Sequence, residues 1–134
     1  MPTKLHATPH ATRLRIRLYF SNGSMFGPGK ADLLTLISET GSIAAAGRRL
    51  GMSYKRAWGL VDTMNTMFAE PLVESSRGGA SHGGATVTAT GERVLSLYRR
   101  LEANTRSGSA REIEGLEGLL APVIAASTDM SDGN

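Results

Sequence analysis

Residues 41–58, GSIAAAGRRLGMSYKRAW, decide how this chain is read. Gly41 can take the left-handed conformation that ends a helix, and Ser42 can accept a hydrogen bond from the free amides of a new first turn. One helix closes as the next opens. In that next helix Ile43, Ala46 and Leu50 form one apolar stripe, and its small residues allow close packing against a neighbour. Gly51 makes the following turn and Ser53 caps a third helix, along which Ala57, Val61, Met64 and Phe68 continue an apolar face. The opposite face carries Lys55, Arg56, Gly59 and Thr63. Two short helices joined by a glycine turn, with Arg48, Arg49, Lys55 and Arg56 inside nine positions, predict a helix-turn-helix. A helix that buries one side and presents basic and short polar groups from its first turn has the geometry that enters a DNA major groove.

The flanks extend this to an α+β winged helix-turn-helix. Leu14, Ile16, Leu18 and Phe20 alternate with Arg13, Arg15, Arg17 and Tyr19, the period-two signal of an N-terminal strand with one buried face. Residues 21–29 read as a loop dense in Gly, Ser and Pro. Residues 30–40 place Leu33, Leu34, Leu36 and Ile37 at helical spacing, a first helix packing behind the helix-turn-helix. Residues 72–76 and 85–88 read as strands around RGGASHGG, a β-hairpin wing whose glycines permit positive φ and close backbone approach. Thr90 caps a helix running to about Thr105, with Val94, Leu95, Tyr98 and Leu101 on one side. After a break at residues 107–109, Ile113, Leu116, Leu119 and Leu120 form a short acidic amphipathic helix. The expected organisation is a disordered tail over 1–12, the winged domain with a dimerisation helix over 13–105, and the short helix with a second disordered tail over 106–134.

Composition narrows the class. At 134 residues the chain is one domain of ordinary size with an extension, and 40% apolar content with mixed charge excludes wholesale disorder. No apolar run approaches a membrane span, and the first ten residues lack the hydrophobic segment of a signal peptide, so a cytoplasmic protein is expected. The absence of cysteine excludes disulfides, zinc–cysteine sites and thiol catalysis. Charge is unevenly spread: residues 1–60 carry a net +7, residues 61–100 are balanced, and residues 101–134 carry −4. The basic portion contains the helix-turn-helix, as expected when one surface meets phosphates.

SYKRAW at 53–58, followed by D-x-M-N at Asp62 to Asn65 and PLVESSRGG at 71–79, resembles the N-terminal DNA-binding domain of the ModE family. These are molybdate-responsive bacterial transcription regulators with a LysR-type helix-turn-helix. The likeness runs from about Leu14 to Leu101, with GSI, SYK-x-AW, MN, LVE, a glycine-rich loop and a T-x-x-G helix start in the family's order. Two departures stand out. Ala80, Ser81 and His82 occupy a stretch where the family usually has a lysine, and the chain stops where full-length members continue into tandem molybdate-binding domains. The resemblance implies a homodimeric repressor of molybdenum-related genes, for molybdate uptake or molybdoenzymes, at a palindromic operator. Related members dimerise through the helix after the wing.

Individual residues are placed accordingly. Lys55 and Arg56 are the candidates for base edges, and Arg48 and Arg49 for phosphates reached from the end of the second helix. Arg77 supplies the wing's positive charge. Ser53 is a cap that, with the helix amides, can also hold a phosphate. Tyr54 either bonds a phosphate or rests on the core edge. Trp58 is a core residue, Gly59 marks close approach of a neighbouring element or of DNA, and His82 is an exposed loop residue. Val94, Leu95, Tyr98 and Leu101 are the dimerisation residues, since little of a small domain remains to cover them. The acidic helix either packs on that helix or is the stub of an effector domain. No enzyme is expected: His6, His10 and His82 sit in a tail and a loop, no metal-ligand spacing occurs, and RGGASHGG lacks the lysine and following helix of a P-loop. No cofactor is expected. Double-stranded DNA, a second copy and a separate molybdate-binding protein are the expected partners, with no membrane. The alternative is a non-enzymatic oxyanion-sensing or protein-interaction module that keeps the winged-helix fold.

Overall fold

The computed structural model describes residues 11–76 and 84–122, in two compact units, one ending at Ala103 and the other beginning at Asn104. The chain runs β1 (Leu18–Tyr19), β2 (Met25–Phe26), α1 (Pro28–Thr40), α2 (Ile43–Arg49), α3 (Tyr54–Met67), β3 (Val73–Ser76), β4 (Gly84–Val87), α4 (Ala89–Gly108) and α5 (Ala110–Gly118). The helix-turn-helix forms by the capping chemistry its residues carry. Gly41 ends α1 at φ 73° and its N–H donates to Ile37 O at 2.8 Å. Ser42 Oγ accepts the Ala45 N–H at 3.0 Å and Ser53 Oγ accepts the Arg56 N–H at 3.0 Å, each satisfying an amide of a first turn. Gly51, at φ 72°, turns the chain between α2 and α3. The two helices meet where Gly47 has no side chain, since a Cβ there would lie 2.8 Å from that of Ala57.

The core is shared by all layers of the first unit. Leu33, Leu34 and Ile37 of α1, Ala46 of α2 and Ala57 and Met64 of α3 are fully buried with Phe26 and Leu72. The wing is an antiparallel hairpin pairing Val73 with Val87 and Ser76 with Gly84. Two anchors tie it to the helices. The Ala85 N–H donates to Gly41 O at 2.9 Å, and Asn65 Oδ1 accepts the N–H groups of Leu72 (2.8 Å) and Val73 (3.0 Å) while its Nδ2 donates to Val73 O (3.0 Å). The hairpin loop, with Arg77 and His82, lies outside the described residues.

Four expectations are corrected. The N-terminal segment keeps its alternation, with Leu14, Ile16 and Leu18 half-buried between exposed arginines, but only Leu18–Tyr19 is strand, and Phe20 is exposed with its ring edge on Phe68. Its partner strand β2 lies inside the stretch read as loop, and α1 starts at Pro28, whose fixed φ suits a first helical position. Thr88, not Thr90, opens α4: its Oγ1 accepts the Gly91 N–H at 2.9 Å and donates to Pro71 O at 2.8 Å, while Thr90 Oγ1 donates to Glu70. Tyr98 is 3% exposed within its own chain, stacked edge-on against Phe26 at 5.1 Å with its hydroxyl donating to Ile16 O, so the domain itself covers that ring. On the next position Arg99 bonds Asp32 (3.0 Å), Thr35 (3.3 Å) and Glu102 (3.0 Å). Burial opposes its charge, but the two carboxylates outweigh that and hold the guanidinium above its usual range. In the second unit α5 buries no residue, and Leu116, Leu119 and Leu120 are exposed.

Candidate nucleic-acid interface

The first turn of α3 projects from the helix-turn-helix. Ala57, Val61 and Met64 fix one side of the helix in the core, which leaves Tyr54, Lys55 and Arg56 exposed on the other. Ser53, Lys55, Arg56, Gly59, Leu60 and Thr63 line an open groove of about 430 Å³. A Cβ built on Gly59 meets nothing within 4 Å, so among the described residues no neighbouring element approaches it and the glycine lowers the groove floor instead. Tyr54 is 63% exposed and rests its ring edge against Trp58, with centroids 6.1 Å apart. Trp58 is half-buried against the core, and its buried indole N–H has no hydrogen-bond partner among the described residues.

Arg48 and Arg49 follow on the last turn of α2, both exposed, beside this surface in sequence and joined to it by the Gly51 turn. Arg49 lies 3.7 Å from Glu39, with both side chains 59% exposed. Such a pair contributes at most about 1 kcal/mol, which is too little to withhold the guanidinium from a stronger anion. The structure thus brings Ser53, Tyr54, Lys55 and Arg56 together on one turn, with Arg48 and Arg49 on the adjoining helix end. Arg77 is not among the described residues.

One cation escaped the sequence reading. Lys30, in the first turn of α1, is 8% exposed, and its ammonium is held below its usual range by burial and then by the positive charge of Arg56. Its position in a helix counted for its leucines gave no sign of a functional neighbour. Two further residues of the quoted motifs prove to be scaffold: Asn65 of D-x-M-N roots the wing, and Gly91 of T-x-x-G lets α4 pass the wing, since a Cβ there would fall 2.3 Å from Leu72 O.

The CbnR DNA-binding domain in complex with DNA matches at a TM-score of 0.51 and 27% identity, over 65% of this chain and 95% of that one. Full-length CbnR complexed with its target DNA matches at 0.50 and 23% identity, over 63% of this chain and 27% of that one. The fold is a winged helix-turn-helix. No family model matches the chain. Among curated proteins, the molybdenum-pterin-binding protein MopB of Rhodobacter capsulatus is 43% identical over 81 residues, which are 60% of this chain and 30% of that protein. The molybdenum transport protein ModE of Azotobacter vinelandii is 37% identical over 118 residues, 87% of this chain and 44% of that protein. The DNA-binding transcriptional dual regulator ModE of Escherichia coli K12 is 39% identical over 71 residues, 53% of this chain and 27% of that protein. The winged-helix chain therefore spans less than half the length of these relatives. No described helix is long and apolar enough to cross a membrane, and no group of three or more potential metal ligands occurs among the described residues.

Proposed function

We propose that this chain is a DNA-binding, molybdenum-related transcription regulator that uses α3 as its recognition helix. The observation that carries the reading is the exposed first turn of α3, with Lys55 and Arg56 at a groove on a helix whose other face is locked in the core. Its support from kinship is a fold shared with a domain solved on DNA and relatives named for molybdenum transport and transcriptional regulation. In this reading Lys55 and Arg56 meet base edges, Ser53, Tyr54, Arg48 and Arg49 meet the backbone, and Arg77 adds a contact from the wing. In this reading the protein acts as a homodimeric repressor of molybdenum-related genes at a palindromic operator. The dimer is supported by an apolar cavity of about 250 Å³ between the β1–β2 pair and α4, lined by Phe20, Phe68, Val94, Leu97 and Leu101 among others, with Leu97 46% and Phe20 39% exposed.

The test is a mobility shift on the protein's own upstream region, competed with bulk DNA. Replacing Arg56 with Ala should weaken the specific complex by ~1–3 kcal/mol and the complex with random duplex much less. Equal losses on both would make Arg56 a backbone contact. No shift with any duplex would leave the oxyanion-sensing or protein-interaction reading of the same fold.

A further inference from the structure

The groove on α3 changes character along the helix. Lys55 and Arg56 line one end of it, and one turn further on lies a shelf made of Gly59, Leu60 and Thr63. Gly59 and Thr63 are exposed, while Leu60 is half-buried against the core. Residues 56, 59 and 63 are spaced three and four apart and so share a face of the helix. A glycine inside a helix is destabilising relative to alanine. Nothing in the fold demands one here: the φ of Gly59 is not positive, and a Cβ built on it meets nothing within 4 Å. The residue therefore opens space that the described residues leave unfilled. The Thr63 Cβ leans toward the helix N-terminus and hence toward that space, and its hydroxyl has no hydrogen-bond partner among the described residues. Beyond Arg56 the groove thus offers an uncharged, largely apolar floor with one free hydroxyl at its far side.

We propose that the Gly59 shelf reads a thymine, whose C5-methyl group sits on Gly59 and Leu60 while the Thr63 hydroxyl donates to its O4. The proposal rests on the DNA-binding reading of α3. The chemistry of the base edges selects thymine. In the major groove guanine shows two acceptors, cytosine a donor amine, and adenine an acceptor with a donor amine, whereas thymine alone joins one acceptor to a methyl group. An amine laid on a floor of carbon would lose its hydrogen bonds to water. Guanine is the base suited to the neighbouring Arg56, which can hold it bidentately. Gly59 stands three residues, about 4.5 Å of helix rise, beyond Arg56. A base step is roughly 3.4 Å, so the thymine adjoins that guanine.

A duplex enriched by wild type from a random-sequence pool serves as the operator. Its affinity is compared with that of the same duplex carrying uracil for thymine, which removes only the methyl groups, and with a random duplex in both forms. The enriched half-site should hold a thymine beside a guanine. Wild type should bind the uracil operator roughly fourfold more weakly for each half-site, the effect of exposing one methyl group, with no such difference on the random duplex. Gly59→Leu fills the shelf with a good helix former and should melt no lower than wild type in the absence of DNA. It should keep its affinity for random duplex, lose at least fourfold on the thymine operator and no longer distinguish uracil. Gly59→Gln replaces it if Leu is not accommodated. Thr63→Val should keep the methyl preference and lose roughly fivefold on both operators, the effect of one hydrogen bond. The proposal is overturned, with α3 still the reading helix, by an enriched half-site lacking thymine, by equal wild-type affinities for the thymine and uracil operators, by uracil discrimination that persists in the Gly59 variants, or by undiminished operator affinity of Thr63→Val. Failure of wild type to enrich or bind any duplex overturns both readings.

Discussion

Tyr98 and Lys30 show how two buried polar side chains pull stability in opposite directions with pH. Burial, reinforced by Glu102 and opposed by Arg99 and Arg15, raises the Tyr98 phenol above its ordinary value of 10.0. The folded state therefore holds that proton more tightly than the unfolded one, and the stability this confers is complete below pH 10 and lost as pH rises through the folded-state value. Lys30 is lowered from 10.5, so its cost is complete at neutral pH and is relieved as pH climbs toward the unfolded-state value. Tyr98→Phe should cost about 0.5–1.5 kcal/mol at pH 7, because the Ile16 carbonyl loses its donor. In denaturant unfolding followed at rising pH, the advantage of wild type over Y98F should shrink beyond pH 10 and then reverse. A constant difference across that range would mean that folding does not raise the Tyr98 pKa. Neither group was legible in the sequence as a buried polar residue. Helical spacing places Tyr98 on an apolar stripe, yet it cannot say whether Phe26 or a second copy of the chain covers the ring.

Elements defined by short-range chemistry were the most legible. α2 and α3 begin at Ser42 and Ser53 and are separated by a left-handed Gly51, all features of four or five consecutive residues. The β1–β2 hairpin was not legible, because two-residue strands give no period to count, and Met25 and Phe26 stand amid turn-forming residues. The start of α4 was misplaced for a different reason. Thr88 and Thr90 are both able to cap, and only the tertiary partners Pro71 and Glu70 distinguish them. Asn65 is the comparable case in α3, a polar residue in a helix whose value appears only once Leu72 and Val73 fold back to it. Asn65→Ala should destabilise the protein by ~1–3 kcal/mol, leaving backbone groups at the root of β3 unpaired. Amide exchange should accelerate at Val73 ahead of the Ser42 and Ser53 caps. Uniform acceleration across the helices would mean that the Asn65 bonds hold the whole fold rather than the wing.

Along the chain, residues 1–60 carry a net +7 and residues 101–134 a net −4, so positive charge is concentrated in the part of the sequence that holds α3. That polarity was legible from the sequence, as was the groove on α3, whereas the surface open to a second copy was only half so. Val94 and Leu95 are half-buried against their own core and Tyr98 is wholly so, which shifts the uncovered apolar area towards Leu97 and Phe20. Leu97→Glu places a charge on a 46% exposed position, where the folded monomer should tolerate it within about 0.5 kcal/mol. A dimer sealed there should not tolerate it. Wild type is expected to sediment as a dimer at micromolar concentration, and L97E as a monomer that still unfolds cooperatively, at a melting temperature lowered by the lost association and independent of protein concentration. Operator affinity should fall well below that of wild type, because half-sites about one helical turn, roughly 34 Å, apart must then be engaged by independent copies. Binding to an isolated half-site should be the same for both proteins. A wild-type monomer would end the dimer reading, and an L97E dimer with full operator affinity would remove Leu97 and the Phe20 hairpin from the interface.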